Sequence, residues 1–171
     1  MPTLLNTRRF LPLFIAQFLG AANDNFFKNA MLVLVVFRIA GEAGVNGSEI
    51  VNIAAALFIL PFFLFSALAG QLADRISKSN LIGWIKLAEI LIMGLGVAAF
   101  LSGDIRIMLA VLFLMGTQSA FFGPAKYAIL PELLAEKELV AGNALIEAGT
   151  FLAILAGTIA AGLIILTDDG L

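Results

Sequence analysis

A cluster of polar and charged side chains interrupts an apolar segment near the start of the chain. Residues 23–29 read Asn-Asp-Asn-Phe-Phe-Lys-Asn and lie between the apolar runs 10–20 and 30–37. A carboxylate and an ammonium group, here from Asp24 and Lys28, are costly at membrane depth and usually face a protein interior or a wet cavity. Such groups can bind an oppositely charged ligand or ion. The cluster therefore predicts a functional site.

The spacing of the polar residues places them on one face of a helix. Gln17, Gly20, Asp24 and Lys28 recur at intervals of three, four and seven, with Asn25 one step round. A polar stripe of this kind suits a helix that lines a cavity. Alternatively, Asp24 and Lys28, at positions i and i+4, neutralise each other and only hold the helices together. We favour the functional interpretation, because hydrocarbon disfavours a charged pair that merely fills space.

Other polar side chains lie further along the chain. Glu89 is about nine residues, or about 13 Å, into a predicted helix, where Lys86 could pair with it. An ion pair near the membrane interface and a place in a substrate path are equally compatible with Glu89, and Glu147 has the same two interpretations. Residues 117–119, Thr-Gln-Ser, predict hydrogen bonds between helices rather than a ligand site.

The composition of the chain indicates an all-α membrane protein. Of the 171 residues, 61% are hydrophobic and 13% are charged, whereas soluble domains carry about 25% charged residues. His and Cys do not occur, which excludes disulfides, thiolate chemistry and most zinc sites and leaves carboxylates for any proton coupling. The sequence predicts no catalytic residue, metal site, cofactor or nucleic-acid-binding patch.

Five segments are long and apolar enough to cross the bilayer. Their predicted bounds are about 10–39, 49–70, 80–101, 105–123 and 139–166. Asn46 or Ser48 could cap the second helix, and residues 102–104 predict a tight turn before the fourth. In the fifth, small residues recur every four positions and predict close helix packing. These small residues are Gly149, Ala153, Gly157 and Ala161.

Lysine and arginine divide unequally between the two predicted membrane faces. With the amino terminus inside, only Arg38 and Arg106 lie on the outer face, and Lys86 is close to the inner one. The positive-inside rule therefore predicts a cytoplasmic amino terminus and an external carboxyl terminus. The basic residues of the inner face are Arg8, Arg9, Arg75, Lys78, Lys126 and Lys137.

The segment 70–78 is the sharpest local signal. Gly70 would let helices approach each other, and Asp74 would cap a helix and bridge to a neighbour, with Arg75 and Lys78 at the inner face. A solvated turn that obeys the positive-inside rule gives the same pattern.

This segment resembles the signature between helices two and three of major facilitator superfamily transporters, roughly Gly-x-Leu-Ala-Asp-Arg-x-Gly-Arg-Lys. Ser77 stands in place of the second glycine, and Ser79 in place of a basic residue. The resemblance implies the first five of twelve transmembrane helices, with residues 1–171 forming part of the amino-terminal bundle. It also implies that matching residues gate the transporter as a latch between helices: Gly70, Asp74, Arg75 and Lys78.

Two further stretches narrow the resemblance to lysophospholipid transporters. Residues 18–30 resemble the first helix of that group, above all the versions fused ahead of acyltransferase and acyl-carrier-protein ligase domains. Residues 122–133 and 141–144 resemble the region after helix four. The resemblance implies movement of lysophospholipid across the bacterial inner membrane by alternating access, without enzymatic chemistry in this part of the chain. A fused or partner acyltransferase is a further expectation.

A zwitterionic lysophospholipid presents a phosphate, an ammonium group and one acyl chain. Lys28 and Lys126 could meet the phosphate, and Asp24 or Glu89 could meet the ammonium group or a coupling cation. We place Asp24, Asn25 and Lys28 in the central cavity, with Glu89 as a secondary member and Lys126 near the inner mouth.

Three alternatives remain at this point. A drug or ion exporter of the superfamily is disfavoured, because residues 113–116 contain no arginine and residues 157–162 match the antiporter signature only weakly. A membrane module could tether a fused phospholipid acyltransferase. A complete five-helix scaffold or channel is the least favoured alternative, because the polar face of the first helix would lack its opposing half.

Overall fold

The protein folds into a bundle of long α-helices. The structure, a computed structural model, describes residues 4–35 and 46–165. Within those ranges it contains no strand, which confirms the prediction of an all-α fold. The five long helices are α1 (Leu11–Leu34), α2 (Gly47–Arg75), α3 (Lys78–Ser102), α4 (Ile105–Ala128) and α5 (Glu136–Ile165). A 3-10 helix, Leu4–Asn6, precedes α1, and a single-turn helix, Leu130–Leu133, lies between α4 and α5.

Four of the described helices, α2 to α5, are long and apolar enough to cross a membrane by length and composition. Helix α1 is also long, at 24 residues, but its polar residues lower its mean hydropathy. It lies along α5, which is itself one of the four apolar helices. Two buried polar residues of α1 bond to protein on both sides, Gln17 to α5 and Asp24 to α4.

Helix bounds differ from the predicted ones chiefly at one end of the bundle. Helix α2 ends at Arg75 rather than at 70, and α4 continues through Pro124 to Ala128 rather than ending at 123. Both extensions bury small residues, Ala73 on α2 and Ala125 on α4, in one apolar cluster. Burial of this face favours continued helix, and Pro124 removes only a single backbone donor. The predicted extension of the first helix to 39 lies outside the described residues.

The predicted cap of α2 and the predicted turn before α4 are both present. Asn46 caps α2 by accepting a hydrogen bond from the backbone N–H of Ser48 at 3.2 Å. Gly103 ends α3 with a left-handed φ of 64°, a conformation that glycine adopts without steric cost. Asp104 then caps α4, accepting from the backbone N–H of Arg106 at 2.8 Å. The tight turn between α3 and α4 is confirmed.

The helices pair as α1 with α5 and α2 with α4, and α3 packs on α4. Each of the first two pairs contains a close backbone approach at a glycine. A Cβ on Gly157 of α5 would collide with the Ala22 carbonyl of α1, and one on Gly116 of α4 would collide with the Phe58 carbonyl of α2. The predicted small-residue ridge on α5 is buried, which confirms its role in packing: Gly149, Ala153, Gly157 and Ala161.

Apolar side chains form separate clusters toward the two ends of the bundle. The cluster at the Gly103 end packs the four helices α1, α2, α3 and α4 together and includes Phe27, Met31, Met108 and Leu112. At the other end, which carries the α2–α3 turn at Ser77 and is called the Ser77 end, two smaller clusters surround the starts of α1, α3 and α5. The polar residues of α1 lie between these apolar ends.

Replacing Gly157 with alanine is expected to lower the free energy of unfolding of the full-length protein by about 1–3 kcal/mol, because α5 must move away from α1. The matched control is Gly162→Ala on the same helix, where a Cβ would meet no atom within 4 Å. The control is expected to be neutral or slightly stabilising, since alanine favours helix more than glycine does. The midpoint of thermal unfolding measures both effects, and equal losses would contradict the close α1–α5 contact.

Candidate functional site

A cavity of about 280 Å³ lies between the apolar ends of the bundle and is lined by residues from all five long helices. Its polar groups come mainly from α1, α3 and α4, and its aromatic surface from Phe58, Phe62 and Phe122. Of the predicted binding residues, four line it: Asp24, Asn25, Glu89 and Lys126. The fifth, Lys28, lies beside the cavity rather than in its lining.

Asp24 is almost completely buried, with 9% of its surface exposed. Its Oδ2 accepts a hydrogen bond from the Ser119 hydroxyl on α4 at 2.6 Å. Its Oδ1 is buried and has no hydrogen-bond donor in the described part of the chain. A buried carboxylate oxygen without a donor is costly, so Asp24 is a group that a bound ligand can stabilise.

Lys28 does not form a direct ion pair with Asp24 within the described residues, although the two charges still act on each other. Its Nζ donates to Asn25 Oδ1 at 3.1 Å and lies 5.2 Å from the centre of the Phe58 ring. Asn25 in turn donates to the Ala21 carbonyl one helical turn earlier, at 2.9 Å. Lys28 is thus held by the Asn25 amide and the Phe58 ring, whereas the hydrogen bond to Asp24 comes from Ser119 on α4.

Glu89 on α3 receives two donors on the same oxygen. Lys86 Nζ lies 2.6 Å from Oε2, which confirms the predicted pair, and Gln118 Nε2 of α4 donates to the same atom at 2.7 Å. Lys86 also lies 4.2 Å from the centre of the Phe122 ring. Gly20 provides room for this group, since a Cβ there would collide with Lys86 Nζ and crowd Glu89.

The polar residues of α4 have two different roles. Thr117 donates to its own helix, at the Phe113 carbonyl, whereas Gln118 and Ser119 bond to other helices, as predicted. Both also line the cavity, which the sequence interpretation missed. The available signal was the polarity of Gln118 and Ser119 within a predicted apolar span, five and four residues before its predicted end.

Gln17 and Thr150 form a second polar link, between α1 and α5, at the edge of the cavity. The Thr150 hydroxyl lies 2.9 Å from Gln17 Oε1, and Gln17 Nε2 donates to the Ile146 carbonyl at 3.3 Å. Gln17 belongs to the predicted polar stripe of α1, and only 2% of it is exposed. This link joins α1 to α5 and leaves the Asp24 side of the stripe facing α4.

Lys126 is a cation of the cavity lining that has no carboxylate within ion-pair distance among the described residues. Its Nζ lies 4.9 Å from the centre of the neighbouring Tyr127 ring. Glu147, the nearby acid of α5, accepts a hydrogen bond from the Tyr127 hydroxyl instead. Lys126 is therefore available to an anionic group.

The predicted latch residues lie at the Ser77 end, away from the cavity. Asp74 and Arg75 are exposed in the last turn of α2 and make no ion pair with any described residue. Lys78 pairs with Glu132 of the single-turn helix at 3.0 Å. The latch function itself stays a prediction.

Two local expectations for this segment are wrong within the described structure. A Cβ on Gly70 would meet no atom within 4 Å, so Gly70 does not mark a close helix approach. Asp74 lies inside α2 and does not cap α3, whose cap position is Ser77 without a side-chain bond. The cause is the continued burial of Ala73, which extends α2 past the predicted turn.

A double-mutant cycle tests the partner of Asp24. Combining Asp24→Ala with Ser119→Ala is expected to give a coupling energy of about 1–3 kcal/mol. Either single variant already removes the hydrogen bond to the charged group, so the double variant loses nothing further from it. The comparison cycle, Asp24→Ala with Lys28→Met, is expected to give less than about 0.5 kcal/mol. Unfolding free energies of the full-length protein provide both values. A larger coupling in the Lys28 cycle would restore the ion-pair interpretation.

Comparison with known proteins agrees with the fold. The family model described as Major Facilitator Superfamily matches residues 13–168. The chain is 31% identical over 163 residues to a protein named lysophospholipid transporter LplT from Serratia proteamaculans, an alignment that covers 94% of this chain and 37% of that protein. The protein of the same name from Salmonella arizonae is 32% identical over 165 residues, covering 95% of this chain and 38% of the relative.

The chain therefore spans less than two fifths of the length of these relatives. No solved structure matches it significantly. The family match covers nearly the whole chain and agrees with the apolar helices and the arrangement described above. The chain belongs to the Major Facilitator Superfamily.

Proposed function

We propose that the full-length protein moves lysophospholipid across the bacterial inner membrane by alternating access. The observation that carries the proposal is the cavity, in which two carboxylates and Lys126, a lysine without an ion pair among the described residues, lie beside three phenylalanine rings. Membership of a transporter superfamily and similarity to proteins named lysophospholipid transporters support it.

The cavity lining matches the parts of a zwitterionic single-chain lipid. Lys126, which lacks an ion pair in the described structure, is our candidate for the phosphate, with Lys28 beside it as a second cation. Asp24 and Glu89 are the candidates for the ammonium group or for a coupling cation. The exposed faces of the phenylalanines would contact the acyl chain.

The volume of about 280 Å³ is small for a lipid, since ligand pockets usually measure about 300–1,000 Å³. Transporters of this kind bind substrate between two helical halves. We infer that the described cavity is one wall of the binding site and that the rest of the protein supplies the opposite wall. Asn25 would contribute to this wall through its side-chain amide.

The exposed Asp74 and Arg75 support a gating role at the Ser77 end of the bundle. A charged pair without a described partner is free to bond a segment from the other half in one conformation and to release it in the other. We infer that Gly70, Asp74, Arg75 and Lys78 act there, with Lys78 anchored by Glu132. A fused or partner acyltransferase, which would consume the transported lipid, stays a prediction that the complete reading frame can test.

The proposed orientation places the amino terminus and the Ser77 end in the cytoplasm. This chain has no cysteine, so single cysteines can report the exposed side, in a full-length background without others. Ser79→Cys is expected to react with a membrane-impermeant maleimide only in inverted vesicles, and Ser102→Cys only in right-side-out ones, because arginine and lysine gather at the cytoplasmic face. The reverse labelling pattern would overturn the orientation.

Lipid uptake tests the proposed function directly. Labelled lysophosphatidylethanolamine should enter right-side-out vesicles that hold the full-length protein, and Asp24→Asn and Lys126→Met should each lower the initial rate at least about tenfold, because each removes a charge-assisted contact. Inverted vesicles serve as the orientation control.

The matched control variants for uptake are Glu136→Gln and Lys137→Met, which change exposed charges at the start of α5 outside the cavity. They are expected to transport at the wild-type rate with equal protein levels. No uptake by the wild type would exclude lysophospholipid transport and favour the exporter or tether alternatives. Wild-type uptake by Asp24→Asn and Lys126→Met would remove these residues from the lipid path.

A further inference from the structure

We propose that Gln118 and Ser119 are positioning residues that orient the carboxylates of Glu89 and Asp24 as one joint acceptor for a cationic group in the cavity. The inference rests on the proposed function and describes how the cavity wall formed by α1, α3 and α4 would bind a cation. The cationic group is either the ammonium of a lipid headgroup or a free monovalent cation.

The first half of the acceptor is Glu89. Lys86 and Gln118 both donate to Oε2, at 2.6 and 2.7 Å, so the side chain is fixed from its own helix and from α4. Oε1 accepts no hydrogen bond from the described residues and lies on the Gly20 side, next to α1. One oxygen is thus used for orientation, and the other remains for a ligand.

Asp24 repeats this arrangement from α1. Ser119 donates to Oδ2 at 2.6 Å, and Oδ1 has no donor in the part of the chain that the structure describes. Because only 9% of Asp24 is exposed, water cannot easily replace the missing donor, and the carboxylate bears an unrelieved desolvation cost. A cation in the cavity that Asp24 lines would lower that cost through its charge, without contacting the buried Oδ1.

Gln118 and Ser119 are consecutive on α4, which explains how one helix reaches two others. Neighbouring residues on a helix point about 100° apart, so Gln118 faces α3 and Ser119 faces α1. The Ser119 hydroxyl also lies 3.1 Å from Gln118 Oε1, but its single proton is given to Asp24 in the shorter contact of 2.6 Å. One helix therefore holds both carboxylates, each by its own donor.

The cavity lining carries two carboxylates, Asp24 and Glu89, and two lysines, Lys86 and Lys126. Lys86 is ion-paired with Glu89, and Lys126 lies beside Tyr127. Among the described residues, Asp24 forms no ion pair and is bonded only by the neutral Ser119 hydroxyl. A cationic group bound beside Asp24 would supply an ion-pair partner for it.

Binding of small soluble probes to the full-length protein in nanodiscs tests the positioning role. The probes are glycerophosphoethanolamine, glycerol 3-phosphate and sodium chloride, each titrated by calorimetry. Ser119→Ala and Gln118→Met are each expected to weaken binding of one cationic probe by about tenfold. That probe is glycerophosphoethanolamine if the site binds the lipid headgroup, and sodium if it binds a free ion. Glycerol 3-phosphate, which carries no cation, should change by less than about twofold.

Two further variants separate positioning from structure. Thr117→Val removes a neighbouring hydroxyl whose hydrogen bond, among the residues that the structure describes, stays within its own helix. This variant should bind all three probes as the wild type does. Ser119→Thr keeps a hydroxyl and should restore the affinity that Ser119→Ala loses. If one of the two variants lowers the yield of folded protein, the binding measured for the other variant, at Gln118 or Ser119, tests the proposal.

The proposal is overturned if both variants bind every probe normally, if they weaken all probes alike, or if the wild type binds neither cationic probe. A wild type that binds glycerophosphoethanolamine but takes up no lysophospholipid would instead remove the proposed function and leave the positioning role intact. The two failures are thereby distinguishable.

Discussion

The cost of placing a carboxylate inside an apolar bundle governs this structure. Asp24 is buried in the middle of α1, and the bond from Ser119 relieves only one of its oxygens. That bond joins α4 to α1 at this height, and Gln118, the preceding residue of α4, bonds to Glu89 of α3. Apolar clusters lie at both ends of the bundle, so these polar bonds form in largely apolar surroundings, which strengthen each of them.

Much of the fold follows from local chemistry that the sequence displays. The spans α2 to α5 are indicated by apolar length alone, and Asn46, Gly103 and Asp104 end or begin helices through bonds to residues only a few positions away. The regular spacing of small residues on α5 indicated a face that packs closely. The charge of Asp24 within an apolar run likewise indicated a polar interior, because hydrocarbon leaves few other places for it.

The partners of the polar groups could not be predicted, because they depend on how distant helices are aligned. Helix spacing offered Lys28 as one possible partner of Asp24, yet the Lys28 side chain bonds to Asn25, and Asp24 bonds to Ser119, which is 95 positions away in sequence. Similarly, Asp74 resembled a cap at the end of a span, but burial of Ala73 carries α2 past it. Local spacing identifies which groups share a face, whereas helix register decides which groups meet.

The two glycine contacts have a mechanical consequence. Gly157 lies on the Ala22 backbone and Gly116 on the Phe58 backbone, without a side chain between the helices that could change rotamer. Each pair, α1 with α5 and α2 with α4, is therefore stiff and would move as a single body. Between these bodies, the backbones of α1 and α4 come close over only a short stretch, where the bond from Ser119 to Asp24 and the apolar cluster at the Gly103 end join them. A relative movement of the two bodies would act at this seam, which is also where α1 and α4 line the cavity.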